Sequence, residues 1–163
     1  MKPRMNFYQA APDTIKALSA LEAQVQASGL EQSLIELVKT RASQINGCAY
    51  CINMHTQNAR KHGETEQRLT LLNAWRDEQR LYLLNAWRVS PLYTDRERAA
   101  LAWTDAVTLT SDTHDLYEAV RARFSEAEIV SLTMLIATAN AWNRLAISFR
   151  AVNAMKYDAA KAS

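Results

Sequence analysis

Glycine and proline are scarce in this chain, three of each in 163 residues, roughly 2% apiece where about 7% and 5% are usual. Sandwiches, barrels and βαβ folds turn roughly every 8 to 12 residues and draw on those two residues to do it. A chain so poor in both is expected to be built from helices. Hydrophobic residues make up 48% and charged residues 22%, enough to bury a sizeable core. The length suits one domain, or one subunit of an oligomer, better than two independent domains. Nineteen basic against seventeen acidic residues leave a net charge of +2, which makes no electrostatic case for nucleic acid or an anionic membrane surface.

The longest uncharged run, Ile129 to Asn143, is interrupted by Ser131, Thr133, Thr138 and Asn140 and falls short of the roughly 18 apolar residues that a span requires. The N-terminal Met1-Lys2-Pro3-Arg4-Met5-Asn6-Phe7 is basic, but Tyr8-Gln9-Ala10-Ala11-Pro12-Asp13 follows it in place of the apolar stretch of a secretory signal. A cytoplasmic protein is expected, with no membrane partner.

Helical periodicity then divides the chain. Ile15, Leu18, Leu21 and Val25 recur after Pro12-Asp13-Thr14, and Gly29 closes that first helix. A second is expected from about Glu31 to Asn46, terminated by Gly47, and a third from near Cys48 to His62-Gly63. Thr94-x-x-Glu97 and Ser125-x-x-Glu128 read as capping boxes opening two more helices, with a shorter one over 116–124. From Arg68 to Pro91 the sequence repeats itself: Arg68-Leu69-Thr70-Leu71-Leu72-Asn73-Ala74-Trp75-Arg76 returns as Arg80-Leu81-Tyr82-Leu83-Leu84-Asn85-Ala86-Trp87-Arg88. A twelve-residue offset at about 100° per residue puts the copies about 120° apart on a straight helix. They cannot share a face, so one is expected on the core and the other on a subunit interface, unless a turn near Asp77-Glu78 splits them. The sequence predicts an all-α, single-domain antiparallel bundle over 1–163 of about six to eight helices, with its motif-bearing core over about 31–152 and a ragged tail after about Val152.

The two cysteines, Cys48 and Cys51, are where chemistry enters. If the third helix starts at Cys48, then Cys48, Cys51 and His55 fall within a sector of roughly 60°. Thiols at a helix N-terminus meet the positive end of its dipole and unpaired N–H groups, which favour the reactive thiolate. An imidazole one turn beyond Cys51 could take or return a proton. Their spacing permits a reversible disulfide. The plainer alternative is a pair of small buried hydrophobes with a satisfied histidine. Zinc would need His62 as a fourth ligand, yet His62 lies about 10.5 Å further along the same helix than His55, so no metal and no bound cofactor are expected. In a hairpin turning at Gly47, Glu36 comes level with His55 to within one helical turn. It could instead be an exposed acid, or pair with Lys39 or Arg41. Trp75, Trp87, Trp103 and Trp142 read as core or interface anchors. His114, beside Asp112 and Asp115, reads as part of a helix start, and neither it nor the tryptophans are assigned to the site.

Glu36, then Cys48-x-x-Cys51-x-x-x-His55, resembles the core motif of the AhpD-like alkylhydroperoxidases of the carboxymuconolactone decarboxylase superfamily. The likeness runs from about Leu34 to Ala151 and takes in Arg60-Lys61-His62-Gly63-Glu64, Asp95-Arg96-Glu97-Arg98-Ala99-Ala100-Leu101-Ala102-Trp103 and Asn140-Ala141-Trp142-Asn143-Arg144. The resemblance implies an all-helical homo-oligomer, a trimer or hexamer, that reduces alkyl hydroperoxides by a dithiol–disulfide cycle. It implies that Cys51 attacks the peroxide, that Cys48 resolves the sulfenic acid, and that Glu36 and His55 relay the proton. A dithiol or a lipoyl-bearing adaptor protein would be the reductant. The best-known peroxidases of the group carry a His between the cysteines. Here Ala49 and Tyr50 stand there, so Tyr50 or water would complete the relay. The duplication has no counterpart in the family pattern. Two other readings are a lactone decarboxylase, which relies on acid–base residues alone, and a non-catalytic helical oligomer whose thiols sense redox state.

Overall fold

The computed structural model describes residues 2–73 and 92–152, and every regular element among them is a helix. In chain order they are α1 (Phe7–Ala10), α2 (Pro12–Gln26), α3 (Gln32–Asn46), α4 (Ala49–Lys61), α5 (Glu66–Asn73), α6 (Asp95–Leu109), α7 (His114–Arg121) and α8 (Glu126–Ser148). Local signals account for most of these boundaries. Pro12 opens α2, where its missing N–H costs nothing. Both capping boxes form, Thr94 with Glu97 and Ser125 with Glu128, so each satisfies two otherwise orphaned helix donors. Gly47 ends α3 in the left-handed region at φ 70°, where a Cβ would be strained.

Two expectations need correction. The short helix expected over 116–124 runs instead from His114 to Arg121; the Asp112 carboxylate accepts from the His114 backbone N–H at 2.9 Å and so starts it earlier. Helix α1 was not foreseen, because its place depends on the far end of the chain. The Arg4 N–H donates to the Phe149 carbonyl at 3.0 Å, and its guanidinium donates to the Ser148 carbonyl at 2.8 Å. A cation at the C-terminal end of α8 also meets the negative pole of that helix. Residues 74–91, with Trp75, Trp87 and most of the duplication, lie outside the described residues, as does the tail from 153.

Helix α3 is the axis of the bundle and packs on α4, α6 and α8. Every residue from Leu34 to Gln44 is buried, and a helix buried all round has no solvated face for its charges. Its apolar residues split between two cores. Leu34, Ile35 and Val38 join Trp103, Leu132 and Leu135 on the α6–α8 side. Leu37 joins Leu69, Leu72, Tyr93 and Leu101 on the α5 side. Each fully buried Leu or Ile contributes about 1.5–3 kcal/mol. The charged residues Glu36, Lys39 and Arg41 must each find a partner inside the protein, and those partners decide what the helix does.

Candidate active site

The left-handed Gly47 reverses the chain between α3 and α4 and leaves Cys48 as the N-cap of α4. The reversal is held from α8. The Asn46 side chain donates to the Asn140 carbonyl oxygen at 2.5 Å and to that of Asn143 at 2.9 Å; Asn143 in turn donates to the Ser43 hydroxyl at 3.1 Å. At the cap the Cys48 sulfur accepts from the Cys51 backbone N–H at 3.3 Å. The two cysteines form a disulfide with their Cα atoms 5.3 Å apart. Cys48 therefore sits just before the helix rather than in its first turn. Both cysteines are 2% exposed, and Ala146, Tyr50 and Ala151 pack around them.

His55 is one turn beyond Cys51 on the same face, 7% exposed. Its Nδ1 lies 3.0 Å from Glu36 Oε2. An ionised carboxylate can only accept, so this pairing assigns the proton to Nδ1 and leaves Nε2 as the basic nitrogen. Glu36 is 4% exposed and also accepts, at 3.4 Å, from Gln32. It is thus neither an exposed acid nor the partner of Lys39 or Arg41. Lys39 donates to Glu22, and Arg41 binds Asp105.

These groups meet at a cavity of about 440 Å³. Cys51, His55 and Glu36 line it, while Cys48 is not among its lining residues. Of the pair, Cys51 is the sulfur a small molecule entering the cavity would meet. Tyr50 lines it too, so the structure brings Glu36, Tyr50, Cys51 and His55 to one space, with Cys48 bonded behind. The Lys39–Glu22 pair is a second ionic pair in the wall. Burial works against the charge on Glu22, but Lys39, aided by hydrogen bonds from Lys39, Gln26 and Thr138, outweighs it and holds the carboxyl below the usual range.

Sequence reasoning missed part of the wall. Trp142, expected as a core or interface anchor, lines the cavity, and its ring stacks on Tyr8 at 6.3 Å. Trp103 does anchor the core, 7% exposed with its indole N–H donating to Thr133 at 2.9 Å. Phe7, Tyr8, Glu22 and Lys39 were not singled out either. The available signal was faint: Lys39 follows Glu36 by one turn on the helix that reads as most apolar. His62 caps the end of α4 and reaches the cavity edge. Among the described residues no cluster of three or more His, Cys, Asp or Glu is placed to hold a metal.

A profile described as the carboxymuconolactone decarboxylase family matches residues 12–106, from the start of α2 into α6 and across both cysteines. An uncharacterised protein of Bacillus subtilis, YdfG, is 37% identical over 151 residues, 91% of this chain and 95% of its own length. Among solved structures, a protein of unknown function from Agrobacterium tumefaciens, provisionally described as the antioxidant defence protein AhpD, has a TM-score of 0.81 at 44% identity. That match covers 95% of this chain and 100% of the other. An uncharacterised peroxidase-related protein from Silicibacter sp. TM1040 shares the fold, with a TM-score of 0.73 at 22% identity over 96% of this chain and 79% of its own. With an all-α AhpD-like fold and a family match that spans more than half of the chain and includes the Cys48-x-x-Cys51 pair, this protein belongs to the carboxymuconolactone decarboxylase family.

Proposed function

We propose that the protein is a thiol-dependent peroxidase that reduces alkyl hydroperoxides through a Cys48–Cys51 dithiol–disulfide cycle. The observation that carries this reading is the placement of Cys51 on the wall of a cavity shared with a hydrogen-bonded His55–Glu36 pair, with Cys48 already bridged behind it. In the reduced protein His55 Nε2 takes the Cys51 proton. The thiolate attacks the terminal peroxide oxygen and the O–O bond breaks. The alkoxide leaves as alcohol with the proton returned from His55, and Cys51 becomes a sulfenic acid. Cys48 attacks that sulfur, water departs and the disulfide forms. Two thiols lose two electrons and two protons, and ROOH becomes ROH and water. Glu36 holds the imidazole in its useful tautomer and balances its positive charge, as a carboxylate beside a general base does. A water bridge carries any relay across the place where a histidine stands in related enzymes.

The cycle closes when an external dithiol, such as a lipoyl group on an adaptor protein, reduces the disulfide. No helix among the described residues is long and apolar enough to cross a membrane, and a dithiol cycle of this kind suits the reducing cytoplasm. Exposed Val130 and Leu109, at 63% and 54%, favour assembly as a homo-oligomer, a trimer or hexamer, which light scattering of the purified protein tests. The function itself is tested by dithiol-dependent consumption of an organic hydroperoxide by wild type and Cys51→Ser. Turnover in the first and none in the second is expected. Peroxide consumption at the same rate in both would remove the thiol from the chemistry.

A further inference from the structure

The cavity lined by Glu36 and His55 takes part of its wall from the N-terminal segment. Helix α1 has no buried residue. Tyr8 is 55% exposed, yet Asn6 caps the helix and the Arg4 contacts to the end of α8 hold this segment in place. What the segment contributes is rings. Phe7 and Tyr8 stack at 4.6 Å with 28° between their planes, and Tyr8 lies over Trp142 at 6.3 Å and 24°. All three line the cavity. These three rings, brought from opposite ends of the chain with Tyr8 stacked against both of the others, give the cavity an aromatic side. Of the two carboxylates that also line it, Glu22 pairs with Lys39 and Glu36 with His55, and Glu22 Oε2 is buried with no hydrogen-bond partner of its own. The cavity therefore presents aromatic rings beside hydrogen-bonding groups. At about 440 Å³ it is in the range of small-molecule sites.

Resting on the peroxidase reading above, we propose that the site takes an aryl-bearing hydroperoxide, and that Tyr8 and Trp142 are its specificity-determining residues. The substrate's ring lies against the aromatic side, and its hydroperoxide group points to Cys51 and His55. A ring on an aromatic face gains more than its buried area alone supplies. A saturated ring of the same size fills the same volume and lacks that gain.

The test uses the stable alcohol products on the disulfide form of the full chain, so that binding is read apart from turnover. Ligand-observed NMR titrations compare 2-phenyl-2-propanol with 2-cyclohexyl-2-propanol. Wild type is expected to bind the phenyl alcohol about tenfold more tightly. Tyr8→Leu and Trp142→Leu should each cut that preference to about threefold or less, and Tyr8→Phe, which keeps the ring, should retain it. Tyr8 is exposed, so its variants test the idea even if Trp142→Leu folds poorly. Equal affinities in wild type, no binding of either alcohol, or an undiminished preference in Tyr8→Leu would overturn the proposal. An aryl preference that depends on Tyr8, in a protein that turns over no hydroperoxide, would leave this inference standing and remove the peroxidase reading.

Discussion

Helix α3 places Glu36, Lys39 and Arg41 in three buried pairs, and two of them, Glu36–His55 and Arg41–Asp105, are enclosed differently. Arg41, 0% exposed, forks onto Asp105 of α6 at 2.6 and 3.1 Å and donates a third hydrogen bond to the Leu72 carbonyl at 3.2 Å. That pair ties α3 to α6 and to the end of α5, and neither residue lines the cavity beside Cys51. Glu36 and His55 are nearly as buried, yet they open onto the cavity beside Cys51. The difference extends to chemistry. A guanidinium stays protonated at any pH the protein meets, whereas an imidazole changes charge near neutrality. Burial of a charge therefore does not mark a site. A buried pair whose proton can move, beside a sulfur and a space for substrate, does.

Variants should separate the two pairs. The largest effect is expected from His55→Ala, which removes the base and should slow peroxide reduction by about 10²- to 10⁴-fold, up to about 5 kcal/mol of barrier. Single-turnover oxidation of the reduced protein checks it. Next, Asp105→Ala strands the Arg41 charge in the core and should cost about 3–5 kcal/mol of stability, read from urea unfolding. Third is the Lys39–Glu22 pair. Because the Glu22 carboxyl titrates lower in the folded protein than in the unfolded chain, its contribution is full above the ordinary glutamate value of about 4.3 and is lost as pH falls through the folded value. Glu22→Gln should cost about 1–3 kcal/mol near neutral pH and should flatten the acid limb of a stability–pH profile. An unchanged acid limb would mean that Lys39 holds no buried partner. The smallest effect is expected from Tyr50→Phe, within about threefold of wild-type turnover; a loss of a hundredfold would put the Tyr50 hydroxyl directly in the proton path.

What the sequence made legible was local. Proline at α2, glycine at the end of α3 and the two capping boxes act within a few residues, so the pattern alone places those helices. The Cys51 and His55 alignment is local too, since it follows from the turn of one helix, whereas Cys48 stands before that helix as its N-cap. Level spacing along a hairpin was enough to bring Glu36 near His55. The aromatic wall was not legible. Tyr8 and Trp142 lie far apart in sequence, and they meet because Arg4 reaches the end of α8, a contact no periodicity encodes. The choice of Asp105 for Arg41 and Glu22 for Lys39 was hidden for the same reason. Local pairs such as Glu36 with Lys39 looked equally available until packing around α3 faced the two side chains to different neighbours.

On the proposed function the Glu36–His55 pair serves Cys51, while the Arg41–Asp105 pair serves the fold. The most direct test measures, on the same preparations, the rate of Cys51 alkylation in the reduced protein and the free energy of unfolding, for wild type, Glu36→Gln and Asp105→Asn. The account predicts a crossed result. Glu36→Gln should slow alkylation by about tenfold or more while shifting stability by about 1 kcal/mol or less. Asp105→Asn should lower stability by several times that amount and leave the alkylation rate of its folded fraction at the wild-type value. If Glu36→Gln instead alkylates at the wild-type rate and loses stability as Asp105→Asn does, then the Glu36–His55 pair is structural and the assigned proton path is wrong.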